Sequence, residues 1–220
     1  MKIYANKSQE YFSSARLDLI QFIPANPNNR ILELGAGGGD TLVKIKEMQL
    51  ASEVVGIELF DMPESNQKHP SIDKLIIGNI EEMQPELPEN YFDVIICGDV
   101  LEHLIDPWLA IKKISGFLKK DGIIIISAPN LREYRTLSKI IFKGTFSYTD
   151  AGIMDKTHLR FFCKKNLVEL ATTPDLKVVK VASNIDSYPG TTKTKIFNLL
   201  SFNLFRDFFV TQFYVIARKG

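Results

Sequence analysis

The run Gly122-Ile123-Ile124-Ile125-Ile126 is apolar at every position after its glycine and lacks the alternation of a half-solvated strand. Successive β-branched residues suit extended backbone, and a strand apolar on both faces needs a layer of helices on each side. Shorter apolar runs at Arg30–Leu34, Val54–Glu58, Leu75–Ile77 and Phe92–Cys97 precede the Gly122–Ala128 strand candidate. Helical patterns at Thr41–Met48 and Pro107–Leu118 lie between them, the second opening with Asp106-Pro107 as cap and first-turn proline. Strand–helix alternation predicts an α/β, doubly wound, mostly parallel sheet that holds its ligand at the carboxyl ends of the strands.

Both ends of the chain depart from plain alternation. A helix is expected over about 8–23, and an insertion over about 130–160 contains a helix near Leu131–Phe142 and a Gly/Thr/Tyr-rich loop at Lys143–Gly152. After a helix at Lys164–Ala171, strand candidates Leu176–Ala182 and Gln212–Arg218 flank a helix at Ile196–Phe209. Two late strands joined this way predict a closing antiparallel pair. The sheet then has seven strands, the last antiparallel, in one 220-residue domain large enough for a sizeable core.

A formal net charge of +1 gives no support to a broad nucleic-acid or anionic-membrane surface, and no nucleic-acid partner is expected. Cys97 and Cys163 offer neither a disulfide scaffold nor zinc spacing, which fits a reducing cytosol. The N-terminus lacks an apolar signal core, and no uncharged run approaches the ~18 residues of a membrane span. These features predict a cytoplasmic location without membrane insertion. Ile196–Val210 reads as an amphipathic helix on the domain, and Phe202, Phe205, Phe208 and Phe209 as core or a homodimer face.

The chemistry centres on R-I-L-E-L-G-A-G-G-G-D, Arg30 through Asp40. A strand running into glycines and then a helix brings bare amides and a helix N-terminus together. The dinucleotide fingerprint G-x-G-x-x-G would use Gly35 and Gly37, but Asp40 stands at its third position, where a pyrophosphate would be repelled. Glu33, inside the strand, suits a cationic group. The loop therefore favours a positively charged nucleoside without phosphates over a nicotinamide cofactor. Glu58, at the end of V-V-G-I-E, can accept both hydroxyls of a ribose, and Asn79-Ile80 offers an amide and an apolar wall for adenine.

E-L-G-A-G-G-G, then G-I-E, then F-D-V-I-I-C-G-D-V-L-E-H-L resemble the signature series of class I S-adenosylmethionine-dependent methyltransferases. Y-F-S-S-A-R-L-D-L-I and D-K-T-H-L-R-F-F-C-K-K-N-L are similar to the type 11/12/23 branch, often tied to cell-surface polysaccharide and small-metabolite pathways. The resemblance spans about Tyr4 to Arg218 and implies a Rossmann-like methyltransferase fold with S-adenosyl-L-methionine as cofactor. It implies that Glu33, Gly35, Ala36 and Gly37 hold the methionine part, and that Glu58 and Leu59 hold the ribose and flank adenine. Asn79 and Ile80 match the adenine-edge pair, where the branch often has Asp in place of Asn79, and Gly98 and Asp99 lie near the sulfonium. Arg16 is expected to pair with the cofactor carboxylate.

Methyl transfer displaces a neutral thioether, so the protein chiefly positions reactants and handles a proton. His103 and His158 are the catalytic candidates, each placed after a strand at the ligand end, with His158 expected above the methyl group; His69 reads as solvated. Tyr134, Tyr148 and Arg160 in the insertion are candidates for a small-molecule substrate, a sugar or carboxylate. Asp99-x-x-Glu102-His103 with His158 is also similar to a metal-assisted branch of the superfamily, which usually has Glu where Asp99 stands; no metal is expected. The expectation is a methyltransferase acting on oxygen, with a non-catalytic cofactor-binding module and a nicotinamide oxidoreductase as the alternatives.

Overall fold

The computed structural model describes residues 14–187 and 204–220. Seven strands form one sheet: β1 Arg30–Leu34, β2 Glu53–Glu58, β3 Lys74–Ile77, β4 Phe92–Gly98, β5 Leu118–Pro129, β6 Leu176–Ser183 and β7 Gln212–Lys219. Their order is β3-β2-β1-β4-β5-β7-β6. β1 to β5 pair in parallel, whereas β7 runs antiparallel between β5 and β6. The order reverses between β1 and β4, which opens a crevice at their carboxyl ends.

The isoleucine run of β5 divides as a strand covered on both faces requires. Ile124 and Ile126 enter one core with Ile111 and Ile114 of helix α3 (Pro107–Ser115) and Leu167 of α5 (Lys164–Leu170). Ile123 and Ile125 enter the other with Leu19 of α1 (Leu17–Ile20) and Leu42 and Ile45 of α2 (Asp40–Glu47). Among the described residues, no helix is long and apolar enough to cross a membrane.

Boundaries shift where turns and caps override periodicity. α3 stops at Ser115 because Leu118 already pairs with Phe92 as the start of β5. α4 (Tyr134–Lys143) starts later than expected, since the Glu133 carboxylate caps it by accepting from the Thr136 amide, and it ends at Gly144 in the left-handed region. The described part of the N-terminal helix is the single turn of α1; residues 8–13 lie outside the described residues. The expected Ile196–Phe209 helix falls outside them over 196–203, and 206–208 form only a 3-10 turn. A four-residue helix, α6 (Asn184–Ser187), follows β6.

Ile125 is fully buried and should cost about 2–5 kcal/mol of unfolding free energy when replaced by Ala. Val179, 53 % exposed on β6, should cost no more than about 0.5 kcal/mol in the same replacement. Urea unfolding of both variants checks the contrast, and equal losses would contradict the two-layer core.

Candidate active site

A cavity of about 830 Å³ opens at the carboxyl ends of β1 to β4. Every cofactor candidate lines it: Arg16, Glu33, Gly35, Ala36, Gly37, Glu58, Leu59, Asn79, Ile80, Gly98 and Asp99. Strand ends that are separate in sequence thus converge on one volume.

The glycine loop is shaped by what it touches. Gly35 and Gly37 have φ of +72° and +53°, a region that side chains disfavour. A Cβ on Gly35 would also stand 2.9 Å from Val100. The Gly37 amide donates to the Glu58 carboxylate at 2.8 Å, and the amides of Leu59 and Phe60 donate to its other oxygen at 2.7 and 3.3 Å. Buried Gln67 donates to the carbonyls of Gly37 and Phe60, so the loops after β1 and β2 are tied together. Burial still pushes the Glu58 carboxyl above its ordinary value, with these amides opposing.

Glu33 is 3 % exposed, and its Oε2 has no hydrogen-bond partner. Burial pushes its carboxyl up to about 8, against the opposing pull of Arg16 and the Thr41 hydroxyl. Its Oε2, buried beside the cavity and without a donor, fits the ammonium of an amino acid. Arg16 is held by Asp18 and by Asp99, with a 2.8 Å contact to each. Burial opposes the guanidinium charge, but the two carboxylates outweigh it and keep Arg16 cationic. Asp99 also accepts from Ser127 Oγ and from Gln212 Nε2, at 2.8 and 2.6 Å. Asn79 accepts from the Glu81 amide at 3.0 Å, so its oxygen already holds the turn after β3.

The two histidines occupy different layers. His103, in a 3-10 turn at Leu101–His103, lines the cavity. His158 is 6 % exposed, does not line the cavity, and packs edge-on against His103 with ring centroids 4.8 Å apart. His158, expected over the site, therefore lies behind His103, which lines the cavity in its place. Each imidazole faces a backbone carbonyl through Nδ1: Thr157 at 3.1 Å for His103, Ile153 at 3.0 Å for His158. A carbonyl only accepts, so both Nδ1 atoms carry the proton and both Nε2 atoms a lone pair when the rings are neutral. Burial, reinforced by His158, lowers His103 to about 4, so it is neutral at physiological pH.

Glu102 is 1 % exposed and both its oxygens lack hydrogen-bond partners; one lies 4.0 Å from His158 Nε2. Burial, reinforced by Asp99, pushes its carboxyl well above the ordinary range. Glu102, His103 and His158 offer ligand atoms within 4.8 Å of one another, a donor set that suits a proton or a divalent cation. Asp99 stands outside that group, since Arg16, Ser127 and Gln212 occupy its oxygens.

The substrate candidates do not converge. Tyr134 packs on Phe209, Tyr148 joins Phe146 and Phe161, and Arg160 donates to the Ile105 carbonyl. None of the three lines the cavity; Leu104, Ile105 and Leu159 do so instead. Arg160 is drawn away because the amides of Leu159 and Arg160 both donate to the Glu102 carbonyl, which fixes the chain direction there. Thr41, Gln212 and Asp18 also line the cavity and carried no sequence signal, since nothing local marks a residue of β7 as reaching β4.

Residues 5–181 match the methyltransferase domain family, and the chain belongs to it. It is 27 % identical over 151 residues to a ubiquinone biosynthesis O-methyltransferase of Xanthomonas campestris pv. campestris, covering 61 % of this chain and 61 % of that protein. A SAM-dependent methyltransferase from Archaeoglobus fulgidus superposes with a TM-score of 0.60 at 18 % identity, over 97 % of this chain and 95 % of that one. The 1,6-didemethyltoxoflavin-N1-methyltransferase of Burkholderia thailandensis, with bound S-adenosylhomocysteine, superposes with a TM-score of 0.60 at 16 % identity, over 99 % and 81 %.

The proton on Glu33 has a stability consequence. Its folded value of about 8 exceeds the ordinary 4.5, so the folded chain binds a proton that the unfolded chain has released between those values. Stability from this group is present below about pH 4.5 and is lost as pH rises toward 8. Urea unfolding at pH 5 and pH 8 should show wild type losing a few kcal/mol more than Glu33→Gln over that interval. Parallel losses in the two proteins would mean that Glu33 is ionised in the fold.

Proposed function

We propose that the chain is an S-adenosylmethionine-dependent methyltransferase that methylates an oxygen of a small-molecule acceptor, a sugar or cell-surface polysaccharide precursor being the class in view. The observation that carries this is the pair of buried carboxyls, Glu33 and Glu58, on either side of the glycine loop in one cavity. One suits a cation and the other a diol. When bound, the cofactor supplies an electrophilic methyl group on a sulfonium and leaves as a neutral thioether. Oxygen as acceptor atom is supported by the relatives named for O-methylation, matched at 27 % identity over part of their length.

In this scheme Glu58 uses its remaining lone pairs for the ribose hydroxyls, while the loop amides hold its carboxylate in place. Glu33 meets the ammonium, and Leu59, Asn79 and Ile80 flank adenine. Arg16 turns a remaining N–H toward the cofactor carboxylate. His103, neutral and lining the cavity, takes the acceptor hydroxyl's proton as the new C–O bond forms. His158 supports His103 from behind as a positioning residue.

Glu58→Ala should weaken S-adenosylhomocysteine binding by about 10- to 100-fold, the loss expected for a charge-assisted contact to two hydroxyls. Calorimetry measures it, and unchanged affinity would place the ribose elsewhere.

His103→Ala should lower kcat by ~10²-fold with cofactor affinity nearly intact, and His158→Ala should have a smaller effect on kcat. Initial rates of S-adenosylhomocysteine release, set beside calorimetry, test both. Equal turnover in His103→Ala and wild type would remove the base. Turnover abolished by EDTA and restored by Mg²⁺ would instead give Glu102, His103 and His158 to a cation.

A further inference from the structure

Helix α4 and the loop after it carry Arg135, Lys139 and Lys143 and no acidic residue from 134 to 149. That local charge stands in a chain whose formal net charge is only +1. Apolar side chains lie exposed among these cations: Ile141 at 67 %, Phe142 at 84 % and Phe146 at 44 %. Of the whole helix only Thr136 is buried, and every residue from 141 to 150 is exposed. Among the described residues the apolar face of α4 is therefore not used by the core, although leaving large apolar side chains in water is unfavourable.

The chemistry of the face discriminates among occupants. Nucleic acid would satisfy the cations but leave Ile141 and Phe142 in water. A second copy meeting this face by a two-fold axis would set three cations against three. An anionic bilayer satisfies both features, with apolar side chains entering the headgroup–acyl boundary and cations meeting lipid phosphates. We propose that α4 and the loop to residue 149 form a peripheral docking face for an anionic lipid bilayer. The proposal is independent of the methyl-transfer scheme. The face also adjoins the site, since Phe146 packs on Phe161 with centroids 5.4 Å apart and Phe161 on His158 at 6.2 Å.

The test is sedimentation of the full chain with vesicles of phosphatidylcholine alone and of phosphatidylcholine mixed with phosphatidylglycerol. Wild type should pellet with the mixed vesicles only, and less so as salt rises. Lys139→Gln with Lys143→Gln should weaken partitioning by about 25-fold, roughly fivefold per cation. Phe142→Asp should weaken it by at least about tenfold. Unchanged thermal melting of all variants shows that the fold is kept, whatever the chain catalyses. Wild type remaining in the supernatant with both vesicle types overturns the proposal, as does binding that ignores all these substitutions. Self-association abolished by Phe142→Asp, without vesicle binding, overturns it in favour of a second copy.

Discussion

The bond from the Gly37 amide to the Glu58 carboxylate is the contact on which the cavity depends. It runs between the ends of adjacent strands, and it turns the β1–α2 loop so that bare backbone, rather than side chains, faces the volume. Gly35 and Gly37 both take positive φ, which favours glycine, and at Gly35 Val100 also fills the space a Cβ would occupy. Gln67 reinforces the arrangement by holding the Gly37 and Phe60 carbonyls at once. A carboxylate fixed by three amides keeps its geometry when a ligand arrives, so little ordering remains to be done on binding.

A second carboxylate gathers the ends of the chain. Asp99, at φ +51°, accepts from Arg16 before β1, Ser127 at the end of β5 and Gln212 at the start of β7. A non-glycine residue in that region carries strain, which these contacts offset. The antiparallel placement of β7 beside β5 is what brings Gln212 to the carboxyl end of the parallel strands. Glu33 and Glu102 show the opposite condition: each is buried with an oxygen that nothing satisfies, and each lies where a ligand or a proton completes it.

Much of the fold was legible because parallel, doubly covered strands leave a strong mark: an isoleucine run with no alternation admits few alternatives. Caps and turns were less legible. The start of α4 depended on Glu133 folding back on Thr136, and the end of α3 on Leu118 pairing with Phe92. Apart from Arg16, the cofactor candidates came from motifs at strand ends, and topology sends all strand ends of one sense to one edge. The substrate candidates came from residue type inside an insertion, where neither period nor motif specifies direction, and they point elsewhere.

The amino-acid sequence by itself determined the layered architecture, the glycine loop and the acidic residues at the strand ends, because these follow from local periodicity and from chemistry at fixed spacing. Only the tertiary structure decided which histidine faces the cavity. Leu159 and Arg160 donate to the Glu102 carbonyl across more than fifty residues of chain, and that docking puts His103 in front and His158 behind. It also decided that Gln212, 113 residues from Asp99, shares its site. Contacts of that range depend on how the sheet closes, and the residues on either side of them carry no trace of it.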